Sequence, residues 1–320
     1  METTIKEHAQ CLHKIVDTVG SVIIGKTQVV ELVVFSLISG GHVLIEDIPG
    51  VGKTSLINAL AQAVGCDYSR IQFTPDIMPS DITGFSIYNQ KIGEFEFRPG
   101  AAMSNFVLAD EINRASAKAQ SSLLEVMEEK QITVDSHTYK MKEPFIVLAT
   151  QNPVDNLGTH PLPEAQIDRF QIRVSLGYPS FEEEVRIVDL RSKKKRPVPP
   201  VASGADILRI REMVDLVSID QSLAEYIIRL TAATRSHPSL SLGASPRGSI
   251  SLYRMCQAKA LYKGRDYVIP DDVKALIQPV LAHRLILSHQ AKMNQISAQD
   301  VIDEILQKTS VPHASSKLAI

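Results

Sequence analysis

Residues 42–55 read HVLIEDIPGVGKTS, an apolar, partly β-branched run that ends at Asp47 and gives way to Pro-Gly-Val-Gly-Lys-Thr. No other stretch restricts the possible folds as much. A buried strand that turns through glycines into a Lys-Thr helix start has the layout of a phosphate-binding loop, G-x-x-x-x-G-K-[ST]. The first position of that pattern wants glycine and holds Asp47 here. Asp47 stands at the loop entrance, so its side chain is expected to face away while its backbone makes the turn. Gly50 and Gly52 let the chain curl and approach phosphate oxygens without a Cβ clash. The helix start adds backbone N–H donors and the positive end of the helix dipole. Lys53 is expected to reach the β- and γ-phosphates of ATP, and Thr54 to place its hydroxyl on Mg2+. The candidate nucleotide contacts in this stretch are Pro49, Gly50, Val51, Gly52, Lys53, Thr54 and Ser55.

The surrounding pattern fits a mostly parallel sheet with helical cover. Residues 1–20 form a polar amphipathic helical pattern, 22–26 a short apolar segment, 27–39 a helix and 42–46 a buried strand. A helix resumes at Thr54 and stops at Gly65. A short strand is expected around 70–73, a loop over TPDIMPSDITG, and a strand or hairpin arm in the alternating GEFEFRPG. Strands follow at 105–109, 145–149 and 170–176, helices at 116–129 and 161–168, and a hairpin over ITVDSHTYKM turning at Asp135-Ser136. RSKKKRPVPP (191–200) has the texture of a solvated linker, and beyond it the signals are helical. The expected organisation is an α/β core with its N-terminal helix at 1–190, a linker at 191–204, a small all-α helical domain at 205–310 and a tail at 311–320.

Composition narrows the function classes. A chain of 320 residues accommodates about two domains. With 44% hydrophobic and 22% charged residues it is neither disordered nor fibrous. A net charge of −2 offers no electrostatic ground for wholesale nucleic-acid binding. Cys11, Cys66 and Cys256 lie far apart without a C-x-x-C pair, which points to a reducing cytoplasm and to no zinc knuckle. The nine histidines show no metal-site spacing. The apolar stretch VVELVVFSLISGGHVLI is interrupted by Glu31, Gly40, Gly41 and His42, so a helix, a break and a strand are expected rather than a membrane span.

A second acidic and polar set completes the chemistry. VLADE places Asp110 and Glu111 at the end of an apolar strand, where a parallel sheet opens its ligand crevice. Asp110 suits a hydrated Mg2+, and Glu111 can orient and deprotonate the attacking water. Asn152, after FIVLAT, is placed to sense a γ-phosphate. Arg247 follows Ser245 as N-cap and Pro246 at the first helical position. A cation there opposes the helix dipole at a cost of ~0.3–1 kcal/mol, which a bound phosphate would reverse. Arg247 is therefore expected to couple closure of the helical domain to nucleotide. Arg169 ends a helix leading into the last core strand. It is expected to lie away from its own phosphate loop and to enter a neighbour's site, a salt bridge to Glu164 or Asp168 being the structural alternative.

GHVLIEDIPGVGKT, IQFTPDIMPSDITG, VLADEINRA, VLATQNP, GTHPLPEAQIDRF and GASPRG, taken in order, resemble the MoxR branch of the AAA+ ATPases across roughly residues 20–290. The form EDxPGVGKT is common there, which accounts for Asp47. The resemblance implies a P-loop ATPase core and a helical lid with nucleotide between them, ATP hydrolysis in a homo-oligomeric ring, often a hexamer, and chaperone-like remodelling of partner complexes. It implies partners that carry von Willebrand factor A domains. By motif, it makes Lys53 and Thr54 the phosphate-loop pair, Asp110 and Glu111 the second nucleotide motif, Asn152 the first sensor, Arg169 the arginine finger and Arg247 the second sensor. Ile23, Ile24 and Gly25 fall where adenine is lined. The sequence departs from the family at FRPGAAMSNF, which bears on local loop shape.

Arg114 competes with Arg169 for the finger's role. The hairpin at 133–141 suits either a ring-pore contact or plain surface. Two other function classes stay open: a nucleotide-gated scaffold with negligible hydrolysis, and a nucleic-acid-dependent motor, which neither charge nor an aromatic-basic pattern supports.

Overall fold

The computed structural model describes residues 2–152, 160–192 and 197–312. Helices α1 (Glu2–Gly20) and α2 (Thr27–Ile38) precede β1 (Val43–Glu46). The glycine-rich turn then leads into α3 (Lys53–Val64), which stops at Gly65 in the left-handed conformation, φ 62°. After β2 (Tyr68–Gln72) the chain departs from the expected loop. Pro79–Thr83 forms a short helix, α4, whose Asp81 carboxylate accepts the Met78 N–H at 2.9 Å. The residues after it form β3 (Gly84–Asn89), antiparallel to β4 (Glu94–Pro99), the strand that the alternation in GEFEFRPG predicts. Next come β5 (Phe106–Asp110) and α5 (Ala117–Glu129), with Ser116 accepting the Ala119 N–H as N-cap. The hairpin of β6 (Gln131–Val134) and β7 (His137–Lys140) turns through Asp135 and Ser136, both at positive φ. Strand β8 (Ile146–Gln151), helix α6 (Glu164–Ile167) and strand β9 (Ile172–Val174) complete the core.

The five core strands run in the order β2-β5-β8-β1-β9, every pair parallel. In β5 every residue is buried, which requires helices on both faces of the sheet. Parallel pairing also aligns the strands' C-terminal ends along one edge, and that edge receives the turns after β1, β5 and β8. Their N-terminal ends, with residues such as His42 and Gln171, form the opposite edge.

The chain then makes a helix that the sequence reading did not anticipate, α7 (Phe181–Ser192), which runs into the charged stretch expected to be a linker. Residues 193–196 of that stretch lie outside the described residues, as do 313–320 of the expected tail. Helix α8 (Gly204–Asp215) starts at a reciprocal cap between Ser203 and Asp206. The rest of the second region is α9 (Gln221–Arg235), β10 (Leu240–Leu242), α10 (Pro246–Tyr262), α11 (Pro270–Leu281), β11 (Ile286–Leu287), α12 (His289–Met293) and α13 (Ala298–Lys308). It is a helical lid, as expected, though β10 and β11 add a small antiparallel pair.

One hydrophobic cluster runs from Ile5 and Leu12 through the core strands to Leu252, Leu276 and Ile305 of the lid. Helix α2 is apolar nearly all round, so its outer face needs cover as well. The lid supplies it. Phe35 meets Tyr262 edge-on at 5.1 Å, the Tyr262 hydroxyl donates to Glu31 at 3.1 Å, and Arg211 donates to the Leu37 carbonyl at 2.9 Å. No helix among the described residues is long and apolar enough to cross a membrane.

Candidate nucleotide site

The turn after β1 is shaped for a bound anion. Gly50 and Gly52 sit at φ 87° and 102°, conformations that L side chains resist, and a Cβ at either would meet only open space within 4 Å. The loop is thus both glycine-dependent and accessible. Helix α3 begins at Lys53 with no side-chain cap, leaving its first N–H groups for a ligand. Thr54 and Ser55 are exposed; Lys53 is buried and donates from Nζ to the Asp47 carbonyl at 3.0 Å.

Asp47 does turn away. Its carboxylate accepts N–H groups from Leu176 at 2.5 Å, Gly177 at 3.0 Å and Ile48 at 3.0 Å. The side chain that breaks the glycine-first pattern therefore fastens the loop's start to the end of β9. The chain beyond reaches Ile23-Ile24-Gly25: Lys26 donates to the Tyr178 carbonyl at 3.0 Å, and Glu183 packs so tightly on Gly25 that a Cβ there would collide with it. Ile23 and Ile24 are buried, and Gly25 is exposed at φ 75°.

Strand β8 separates β1 from β5, which places the acid pair two strand spacings, ~10 Å, from the loop's strand. Thr150 of β8 organises that pair. Its hydroxyl donates to Asp110 Oδ1 at 2.6 Å and accepts the Glu111 N–H at 2.8 Å. Asp110 Oδ2 takes Arg70 at 2.5 Å. Glu111 adopts the left-handed conformation, φ 58°, which costs a non-glycine residue roughly 1–2 kcal/mol and points its side chain off the strand's path. Glu111 Oε2 accepts from Arg114 at 2.8 Å and from Gln72 at 3.2 Å. Asn152 follows β8 at the same edge, and its carbonyl accepts from Asn113 at 3.3 Å. The segment 153–159 of the expected sensor and finger motifs lies outside the described residues.

Lys53, Thr54, Asp110, Glu111 and Asn152 thus share the C-terminal edge. Arg169 and Arg247 do not. Gln171 donates its N–H to the His42 carbonyl, and His42 precedes β1, so Arg169 lies at the N-terminal edge. The end of α5 is there too, since His42 Nε2 donates to the Met127 carbonyl at 3.1 Å. Arg169 pairs with Glu128 at 3.0 Å, and Arg247 pairs with the same carboxylate. Strands of four to six residues separate the two edges by ~13–20 Å. Arg247, expected to couple closure of the lid to nucleotide, thus stands at the edge opposite its own chain's phosphate loop. The apolar cover that α2 requires draws the lid elsewhere. The pair with Glu128 replaces the expected structural pairing of Arg169 with Glu164 or Asp168. Asp168 is committed to the buried Arg284 and to the Ser245 hydroxyl.

Arg70, Gln72, Thr150 and Glu128 were not found from the sequence. Their relation to the acids and arginines rests on strand register and helix packing, which local patterns do not carry.

A glycine-shaped phosphate loop and an Asp-Glu strand end on one edge of a β2-β5-β8-β1-β9 sheet, followed by a helical lid, define a P-loop ATPase of the AAA+ class. Residues 42–172 match the family model of the ATPase family associated with various cellular activities (AAA), and residues 232–305 that of the AAA lid domain. YeaC of Bacillus subtilis is 50% identical over 94% of this chain and 95% of its own. Chaperone MoxR1 of Mycobacterium tuberculosis is 42% identical over 95% of this chain and 83% of its own. A solved structure from Cytophaga hutchinsonii superposes with a TM-score of 0.92 at 41% identity, covering 98% of each chain. The chain belongs to the MoxR family of AAA+ ATPases, and its activity is the hydrolysis of ATP.

Proposed function

We propose that this chain hydrolyses Mg–ATP only where two copies meet, and that the resulting movement remodels a partner protein. One observation carries the reading: the loop and acid pair stand at one sheet edge, while Arg169 and Arg247 converge at the other. Among the described residues the other cations at the loop's edge, Arg70 and Arg114, are engaged by Asp110 and Glu111, which leaves Lys53 as the cation of the phosphate loop itself. A head-to-tail neighbour would present its Arg169 and Arg247 to that group, and repetition of such a heterologous contact closes a ring.

The residues present suit the substrate and a magnesium ion. Open space over Gly50 and Gly52 admits phosphate oxygens, and the uncapped start of α3 offers donors to them. Thr54 and Asp110 would hold magnesium, which shields phosphate charge and fixes the geometry of the phosphates. Arg70 would release Asp110 Oδ2 for this. Lys53 exchanges the Asp47 carbonyl for the β- and γ-phosphates. Glu111 leaves Arg114 and Gln72, orients the attacking water and accepts its proton. Asn152 contacts the γ-phosphate, while Ile23, Ile24 and Gly25 line the base beside α7. Arg169 and Arg247 of the neighbour neutralise charge on the transferring group. On this assignment Arg114 restrains Glu111 and is not the finger.

The likeness to Chaperone MoxR1 supports chaperone-like work on other proteins. A ring, a hexamer among the possible closures, and partners with von Willebrand factor A domains accord with the family resemblance. ATPase rate per chain measured against protein concentration tests the core of the reading. It should rise steeply with association, and a rate independent of concentration down to the dissociated chain would overturn it.

A further inference from the structure

Glu128 lies near the end of α5 and its carboxylate is shared. Oε2 takes Arg169 at 3.0 Å, and Oε1 takes Arg247. Three separate pieces of the chain meet there: the core helix α5, the turn before β9 and the first turn of the lid helix α10. With Asp168, Ile250 and Ser251 they line a cavity of about 200 Å³. Among the described residues two cations face one available anion, because Asp168 is occupied by Arg284 and Ser245. Arg169 Nε is buried without a hydrogen-bond partner. The cluster therefore keeps both net positive charge and an unused donor.

We propose that Glu128 is a latch: an internal stand-in for the neighbour's γ-phosphate that holds both arginines and ties lid to core until ATP arrives across the interface. The inference rests on the reading that the arginines act on a neighbouring copy. The side chains of Glu128, Arg169 and Arg247 are 35%, 30% and 48% exposed, so water screens both pairs and the grip is weak. A triphosphate carries more charge and accepts guanidinium groups bidentately. It outcompetes a single carboxylate once a neighbour brings it within reach. Both arginines then transfer, and the tie between α10 and α5 at Glu128 opens. ATP in one copy's site is thereby reported to the lid of the copy that donates the arginines.

The test is Glu128→Gln in the full chain, with ATPase rate per chain followed against protein concentration at saturating Mg–ATP. Glu128 is exposed, so the isosteric amide leaves the fold intact. Assembly no longer has to displace a carboxylate, so the concentration for half-maximal activity should fall ~three- to tenfold, with the saturated rate within about twofold of the original. An unmoved midpoint overturns the latch. A lower saturated rate at an unmoved midpoint also overturns it, because Glu128 would then only orient the arginines. Failure of the underlying reading is seen separately: a mixture of Glu111→Gln and Arg169→Ala chains that stays inactive condemns shared sites whatever Glu128→Gln does.

Discussion

That mixture is the sharpest consequence of the arginines' position. Glu111 and Arg169 of one chain stand at opposite edges of a sheet whose strands span ~13–20 Å. They cannot meet around one phosphate, so on the proposed reading each serves a different interface. On the proposed assignment Glu111→Gln removes the group that activates water, and Arg169→Ala removes a finger whose loss in comparable enzymes costs ~10³–10⁵ in rate. Each variant alone should be nearly inactive. In an equal, random mixture, about one interface in four joins an intact Glu111 to an intact Arg169. Phosphate release should therefore recover to roughly a quarter of the unsubstituted rate, at least tens of times either variant alone. The assay is steady-state phosphate release from chains mixed before ATP is added, across a range of ratios. If both residues served one site within one copy, no mixed assembly would contain a complete site. A mixture no more active than its parents would refute the geometry.

Glu111→Gln by itself should bind ATP with unchanged affinity while turnover falls ~10²–10⁴-fold; equilibrium binding and phosphate release separate the two, and intact turnover would remove Glu111 from its role. Asp47→Ala should orphan three N–H groups at the loop start and cost ~2–4 kcal/mol, seen as a lower urea midpoint and weaker ATP binding. Acid should destabilise the fold through His42 and His283. Burial lowers the first to about 4; burial, and then the adjacent Arg284, lower the second to about 3. Both lie below the ~6.5 of an unfolded histidine, so unfolding takes up protons below that pH and stability is lost as pH falls, with a slope approaching ~2.7 kcal/mol per unit near pH 5. Urea titrations at stepped pH measure it, and His42→Gln should flatten the slope.

The phosphate loop was legible because its demands are local. A strand, two residues at positive φ and a Lys-Thr helix start occupy a dozen consecutive positions. The acid pair was legible for the same reason, at the end of an apolar run. Asp47 could be forgiven from the sequence, but the N–H donors to it at Leu176 and Gly177 could not be seen, because 129 residues separate Asp47 from Leu176. Thr150 looked like the end of an apolar strand until β8 was found between β1 and β5. Helix α7 escaped notice although Phe181, Val185 and Val188 stand at helical i, i+4 and i+7 spacing, because its end runs into the charged RSKKKRPVPP stretch, which has the texture of a linker.

The sequence by itself pointed to the side chains proposed for phosphate chemistry and determined that a parallel sheet followed by a helical lid would hold them. Glycine torsions, helix starts and buried strands are settled by neighbours along the chain. Only the tertiary structure decided which of those side chains can act together in one copy. That depends on strand direction, which sends Arg169 to the edge opposite Lys53. It depends equally on the apolar cover that α2 needs, which carries the lid and Arg247 to Glu128. Contacts between residues more than a hundred positions apart leave no periodic trace in sequence, yet they set the distance between Glu111 and the arginines proposed to act with its counterpart.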